Sequence, residues 1–119
     1  MPVDTKGIII RAYQELVEER KNFKITVADI VERCGISRKT FYYHFDNIYD
    51  LVDVMSTRSL EAFFSSLDSG DMKEDIKKFF LFMEEHKEPA KLLMESGQFL
   101  PFTERLFAKL NGYLVNLLE

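Results

Sequence analysis

Tryptophan is absent, cysteine occurs once, and only three prolines and five glycines interrupt 119 residues. A single Cys34 rules out an internal disulfide framework, so stability has to come from an apolar core. No apolar run approaches the roughly 20 residues needed to cross a bilayer. The opening Met1-Pro2-Val3-Asp4 has neither the basic nor the apolar region of a signal peptide, and we expect a cytoplasmic protein with no membrane partner. Catalytic signatures are equally scarce. There is no Gly-rich phosphate loop, no pair of carboxylates with a plausible base, and no Ser/His/Asp or Cys/His set, so no enzyme activity and no cofactor are expected. The two histidines, His44 and His86, have no second His or acidic partner at ligand spacing, which gives no case for a metal. A basic excess is missing too. The net charge is −4, and on either side of Met55 eight Lys or Arg face nine and eleven acids. A general nucleic-acid coat is thereby excluded, because nonspecific affinity grows with the number of phosphates neutralised; a nucleic-acid site must be local.

What the chain does have is 46% apolar residues, 30% charged residues, and apolar positions recurring every three or four residues with no alternating Val/Ile/Thr runs. That pattern predicts an all-α protein. A first helix is expected from about Thr5 to Lys21, capped by Asp4, with Ile9, Ala12, Tyr13, Leu16 and Val17 on one face. "KNFKI" breaks the pattern. Thr26 can cap a short helix over Val27–Arg33, with Asp29 close to a capping-box arrangement, and Gly35 ends it. Ser37 can cap another over Arg38–Phe45, whose Phe41 and Phe45 lie one turn apart and face Ile30, Val31 and Ile36. A long helix follows Asp46 to about Ser66. "DSGD", Asp68 to Asp71, reads as a loop, and a helix from Met72 to His86 comes next. Pro89 suits the first position of a short helix ending near Ser96-Gly97, and an amphipathic run from Phe102 reaches Leu117.

Short helix, glycine turn, short helix is the helix-turn-helix arrangement, whose second helix lies in the DNA major groove. With Phe41 and Phe45 turned to the core, Arg38, Lys39, Tyr42 and Tyr43 emerge opposite, and Thr40 and His44 lie at the margin. Arg and Lys can donate to guanine acceptors. Tyr can offer a hydroxyl to phosphate and a ring edge to a thymine methyl, while Thr and His can donate to phosphate. The less specific reading is a solvated helix face whose aromatics cover core edges.

The stretch "ITVADIVERCGISRKTFYYHFDNIYDLV", Ile25 to Val52, resembles the signature of the TetR family of bacterial transcriptional regulators, most specifically in Tyr42-Tyr43-His44-Phe45 spaced from Gly35-Ile36-Ser37. The resemblance implies a homodimer that binds double-stranded operator DNA, with Arg38, Lys39 and Tyr42 at the base-reading positions. It implies phosphate contacts at Thr26, Ser37, Thr40, Tyr43 and His44. Two departures stand out. The family commonly has a phosphate-binding lysine where this chain has Ile48, with Asp46 nearby, and it usually has small residues where this chain has Val31 and Cys34. The first predicts weaker DNA affinity, and the second a slightly different packing of the two helices.

These readings give an expected organisation of an N-terminal helix-turn-helix DNA-binding domain over residues 1–52 and a short helical ligand-binding and dimerisation region over 53–119. The resemblance implies more helices in the second part than the sequence accommodates. The amphipathic pattern also runs out at Glu119, so a truncated form of a longer regulator is expected. Phe79, Phe82, Met83, Phe99, Phe102 and Phe107 form a candidate pocket for a small apolar effector, against the plainer reading of ordinary bundle core. Cys34 reads as a buried, inert thiol, and His86 as a helix-end residue favoured by the dipole. The groups Glu84-Glu85-Glu88 and Glu18-Glu19-Arg20-Lys21 read as solvated faces. We expect a TetR-type regulator, a repressor released by an effector. The rival is a TetR-like co-regulator that has lost DNA binding and docks on a protein partner.

Overall fold

The computed structural model describes residues 4–67, 70–97 and 99–119, so part of the expected loop at 68–71 lies outside the described residues. Among the described residues seven helices follow in order: α1 Thr5–Arg20, α2 Val27–Cys34, α3 Arg38–His44, α4 Ile48–Ser66, α5 Met72–Glu85, α6 Lys87–Ser96 and α7 Phe99–Leu118. No strand occurs among the described residues, and the all-α expectation holds. The chain divides into two compact units, Met1–Leu51 and Val52–Glu119.

Local chemistry sets the helices of the first unit. The Asp4 carboxylate accepts from the Gly7 amide (3.0 Å) and starts α1. Lys21, at φ 58°, ends it with its N–H on the Val17 carbonyl. The break at "KNFKI" is then an Asx turn, in which the Asn22 side chain accepts from the Lys24 amide (2.9 Å). Thr26 and Asp29 form a complete capping box. The Asp29 amide donates to Thr26 Oγ1 (3.1 Å), and the Thr26 amide donates to Asp29 Oδ2 (2.9 Å). Ile25 and Ile30 flank the box and are both buried, the arrangement of a hydrophobic staple.

Ile9, Ile10, Ala12, Tyr13 and Leu16 of α1 form the core of this unit with Ile30, Phe41, Phe45 and Leu51. Val17, Val31 and Ile36 are only half-buried. Helix α1 packs on α2, and α2 on α3. The buried Tyr13 hydroxyl has no hydrogen-bond partner among the described residues, and burial pushes its pKa up to about 12.

Gly35 makes the turn. Its φ of 69° is left-handed, and the amides of Gly35 and Ile36 both donate to the Val31 carbonyl (2.9 and 3.2 Å), closing α2 in a Schellman-like turn. A Cβ at Gly35 would meet nothing within 4 Å, so the cost of a side chain there is backbone strain alone. Gly35→Ala should therefore destabilise by about 1 kcal/mol. Gly112, inside α7 with equally open surroundings, should gain about 0.5–1 kcal/mol on replacement by alanine. Urea unfolding of the two variants checks the opposite signs.

In the second unit α6 packs on α7 and on α5. Phe63 stacks near Phe82 (ring centroids 4.6 Å) and Phe79 (6.1 Å), and Arg105 of α7 pairs with Asp53 of α4. Two expected details shift, at Pro89 and Cys34, and His86 lies at a helix end as expected. Helix α6 begins at Lys87, not Pro89. Pro89 is its third residue, still within the first turn, where a missing N–H leaves no bond unmade. His86 serves as C-cap of α5 and N-cap of α6, with its ring stacked on Phe82 (4.0 Å) and Nδ1 2.9 Å from the Phe82 carbonyl oxygen. Cys34 is only partly buried; that burial, with Glu15 nearby, raises its pKa.

Candidate nucleic-acid interface

Ser37 starts α3 by accepting from the Thr40 amide (3.1 Å), and its hydroxyl lies 3.0 Å from Thr40 Oγ1. Only one of these hydroxyls can donate to the other, so the second O–H is left to donate outward. Phe41 and Phe45 are fully buried, with ring centroids 5.7 Å apart, and they fix the rotation of the helix. That rotation leaves Arg38, Lys39, Tyr42 and Tyr43 exposed, with Thr40 and His44 half-buried at the edge. The Tyr42 ring packs edge-on against Phe41 (5.3 Å), and Tyr43 packs edge-on against His44 (5.0 Å). Tyr43 is nonetheless 85% exposed, far more than its apolar ring favours without a partner. Thr26, exposed at the start of α2, keeps its hydroxyl hydrogen for a further acceptor because its oxygen already accepts from Asp29.

Charge is sorted around this helix. Arg33 is held by Glu15 (3.1 Å) and by both oxygens of Glu19 (2.7 Å each), and Arg20 is held by Asp29 (2.8 Å). The Arg33 guanidinium lowers the Glu19 pKa, while Arg20 and the Thr26 cap hold Asp29 well below the usual carboxylate range. Two of the unit's arginines are thus committed to tying α1 to α2. Arg38 and Lys39, by contrast, have no ion pair among the described residues. Their charge is available to a ligand. Glu18-Glu19-Arg20-Lys21 is an exposed face, as the sequence reading expected, but that reading missed these pairs across it. The partners lie 9 to 18 residues apart, beyond any helical repeat.

The start of α4 behaves differently. Asn47 Oδ1 accepts from the Asp50 amide and Asp50 Oδ2 accepts from the Asp46 amide, both at 2.9 Å. This helix end therefore carries two carboxylates beside a half-buried Ile48. A cation does reach this corner, since Lys6 Nζ lies 5.6 Å from the centroid of the Phe45 ring.

Of the six residues expected to line a pocket, Phe79 and Phe82 both pack against Phe63. Phe82 and Phe102 are buried, Phe99 is half-buried, and Met83 and Phe107 are exposed. Only Phe79 borders the apolar cavity of about 270 Å³ in the second unit, whose other walls include Phe64, Ile76 and Leu110. Helical spacing located large apolar side chains but not the gap between helices. Among the described residues no cluster of His, Cys, Asp or Glu is suited to a metal, and no helix is long and apolar enough to cross a membrane.

Residues 9–55, which take in most of α1, all of α2 and α3 and the start of α4, match the family model for bacterial regulatory proteins of the tetR family. The chain is 31% identical over 70 residues to the HTH-type transcriptional regulator EthR of Mycolicibacterium smegmatis (strain ATCC 700084 / mc(2)155), a match covering 56% of this chain and 32% of that protein. The chain thus spans about a third of the length of the curated relative it matches. No solved structure matches it. The helix-turn-helix of α2 and α3, its capping residues and the family match over residues 9–55 agree: this segment is similar to the DNA-binding part of the bacterial regulatory proteins of the tetR family.

Proposed function

We propose that this protein is a transcriptional repressor that binds operator DNA as a homodimer through α3 and is released by a small effector held in the second unit. The observation that carries the reading is the α3 surface. Arg38 and Lys39 stand there without ion pairs, beside exposed Tyr42 and Tyr43, on a helix locked by two buried phenylalanines. In this assignment Arg38, Lys39 and Tyr42 read base edges. Thr26, Ser37, Thr40, Tyr43 and His44 hold phosphates, which fix register without carrying sequence information. Occupation of a promoter then blocks transcription. Dimerisation supplies the second reading head, without which one helix makes too few contacts for tight specific binding. The exposed Phe80, Leu81, Phe107 and Leu118 of α5 and α7 are apolar surface that a second copy of the unit would cover. An effector acts by favouring a separation of the two heads that no longer matches half-sites one helical turn, or a multiple of it, apart.

The carboxylates at the start of α4 favour a second reading, a TetR-like co-regulator that docks on a protein. Salt separates the two. DNA binding through six to ten phosphates falls about 10³- to 10⁵-fold between 50 and 200 mM salt, whereas an apolar protein contact does not weaken with salt. On the DNA reading, Ile48→Lys should tighten binding to operator and scrambled duplex alike. It should also steepen the log affinity versus log salt slope by about 0.9 for each protomer that gains a phosphate contact. Fluorescence anisotropy titrations across a salt series measure both, and an unchanged slope would count against a phosphate near residue 48.

A further inference from the structure

Helix α7 buries one side in its own unit and leaves another uncovered. Phe102 and Leu106 are buried, and Thr103, Leu110 and Leu117 are half-buried on the same side. Leu100, Phe107 and Leu114, by contrast, are 67%, 66% and 49% exposed, and they recur at every seventh residue. Four residues beyond each of them stand the exposed Glu104, Asn111 and Leu118, the last 89% exposed. Side chains spaced alternately by four and three share one face of a helix, and their sevenfold repeat is the seam of a coiled coil. In heptad terms Leu100, Phe107 and Leu114 occupy d, while Glu104, Asn111 and Leu118 occupy a. Val115, also exposed, widens the stripe at its C-terminal half. Burial within the unit accounts for the other side of α7 and leaves this one without a covering layer among the described residues.

We infer that a second copy of this chain covers the stripe, the two α7 helices lying side by side and parallel about a two-fold axis. The stripe is complementary to itself. In a parallel pair each seam residue meets its own counterpart, so Asn111 meets the partner's Asn111, and an amide can both donate and accept. A polar side chain set among apolar layers is then satisfied, and it fixes the register. An antiparallel pair sets a against d, so Asn111 would meet the partner's Phe107 or the partner's Leu114 and lose that bond. Area agrees with a copy as occupant. At roughly 100 Å² for each partly exposed side chain, the five apolar residues offer about 500–600 Å² per copy, and a pair buries about 1,000–1,200 Å², the low end of specific interfaces. Glu104 opposes the pairing, because it meets the partner's Glu104 and like charges repel at that end of the seam. The inference rests on the proposed homodimer and names the surface through which it forms.

Sedimentation equilibrium and disulfide trapping of the 119-residue protein test the inference together. The parent should show a reversible monomer–dimer equilibrium. Phe107→Glu, a change at an exposed position, should weaken dimerisation at least tenfold, and Glu104→Leu should tighten it about tenfold by replacing repulsion with apolar contact. In a Cys34→Ser background, Asn111→Cys and Leu118→Cys should each oxidise to a covalent dimer, because a parallel pair brings each position opposite itself within disulfide reach. Asn116→Cys, exposed on α7 but off the stripe, should crosslink far more slowly. A dimer that Phe107→Glu leaves intact, or one trapped at residue 111 and not at 118, overturns the inference and leaves the homodimer standing. Equal trapping at residues 111 and 116 does the same. A parent that stays monomeric at the highest concentration reached overturns both. Circular dichroism establishes that Phe107→Glu folds, and if it does not, the trapping series decides by itself.

Discussion

Lys39→Ala is expected to weaken binding to the operator by about 1–3 kcal/mol per half-site and to change binding to a scrambled duplex far less. The asymmetry follows from what the side chain has to offer. Lys39 is exposed on α3 with no ion pair among the described residues, so its ammonium is available to guanine acceptors at a base edge. Tyr42→Ala should behave the same way through loss of the ring that packs on Phe41. Tyr43→Phe removes only a hydroxyl assigned to phosphate and should weaken specific and scrambled duplexes in equal proportion. Anisotropy on the two duplexes measures all three variants. Equal losses on both duplexes for every variant would show that α3 grips the backbone without reading sequence.

Phe41→Ala should be the most damaging single change to the fold of the first unit, costing about 3–5 kcal/mol. Phe41 is fully buried and touches both Tyr42 and Phe45, so its removal opens a cavity and frees the rotation that aims Arg38 and Lys39 outward. Against a total stability of about 5–15 kcal/mol for an ordinary domain, that loss unfolds much of the population on warming. Tyr43→Ala provides the contrast. The ring is 85% exposed, so stability should change by no more than about 0.5 kcal/mol while DNA binding falls. Thermal unfolding by far-UV circular dichroism, run beside anisotropy, separates the two effects. A melting temperature for Phe41→Ala within a degree or two of the parent would contradict the role assigned to this ring.

The helix-turn-helix was legible because its determinants are local. Thr26, Asp29, Gly35 and Ser37 each act within five residues, and the i, i+4 pair Phe41 and Phe45 sets a face that the fold keeps. Boundaries moved by a residue or two, as at Arg20, Cys34 and His44, where the last turn is decided by hydrogen bonds that composition does not specify. Contacts between distant segments were not legible. Arg33 could have served DNA as well as Glu19, and only the packing of α1 on α2 assigns it to the acid. The cavity shows the same limit. Phe82 and Phe102 fill the core, Phe107 is exposed, and Asp75 and Tyr113, which hydrogen-bond each other, lie 38 residues apart and are each unremarkable in their own helix. Asp75 reads as a first-turn acid suited to the helix dipole, and nothing along α5 indicates that α7 buries it.

Fluorescence anisotropy of this chain against duplex DNA from upstream of its own gene and against a scrambled duplex, at low and moderate salt, tests the central claim most directly. A single-chain tandem of two copies joined by a flexible linker accompanies it, so that dimerisation is supplied in every case. The account predicts tighter, steeply salt-dependent binding to the upstream duplex that Lys39→Ala removes. Equal binding of both duplexes by the tandem protein would contradict it, as would binding by neither form, which would leave the protein-docking reading in its place.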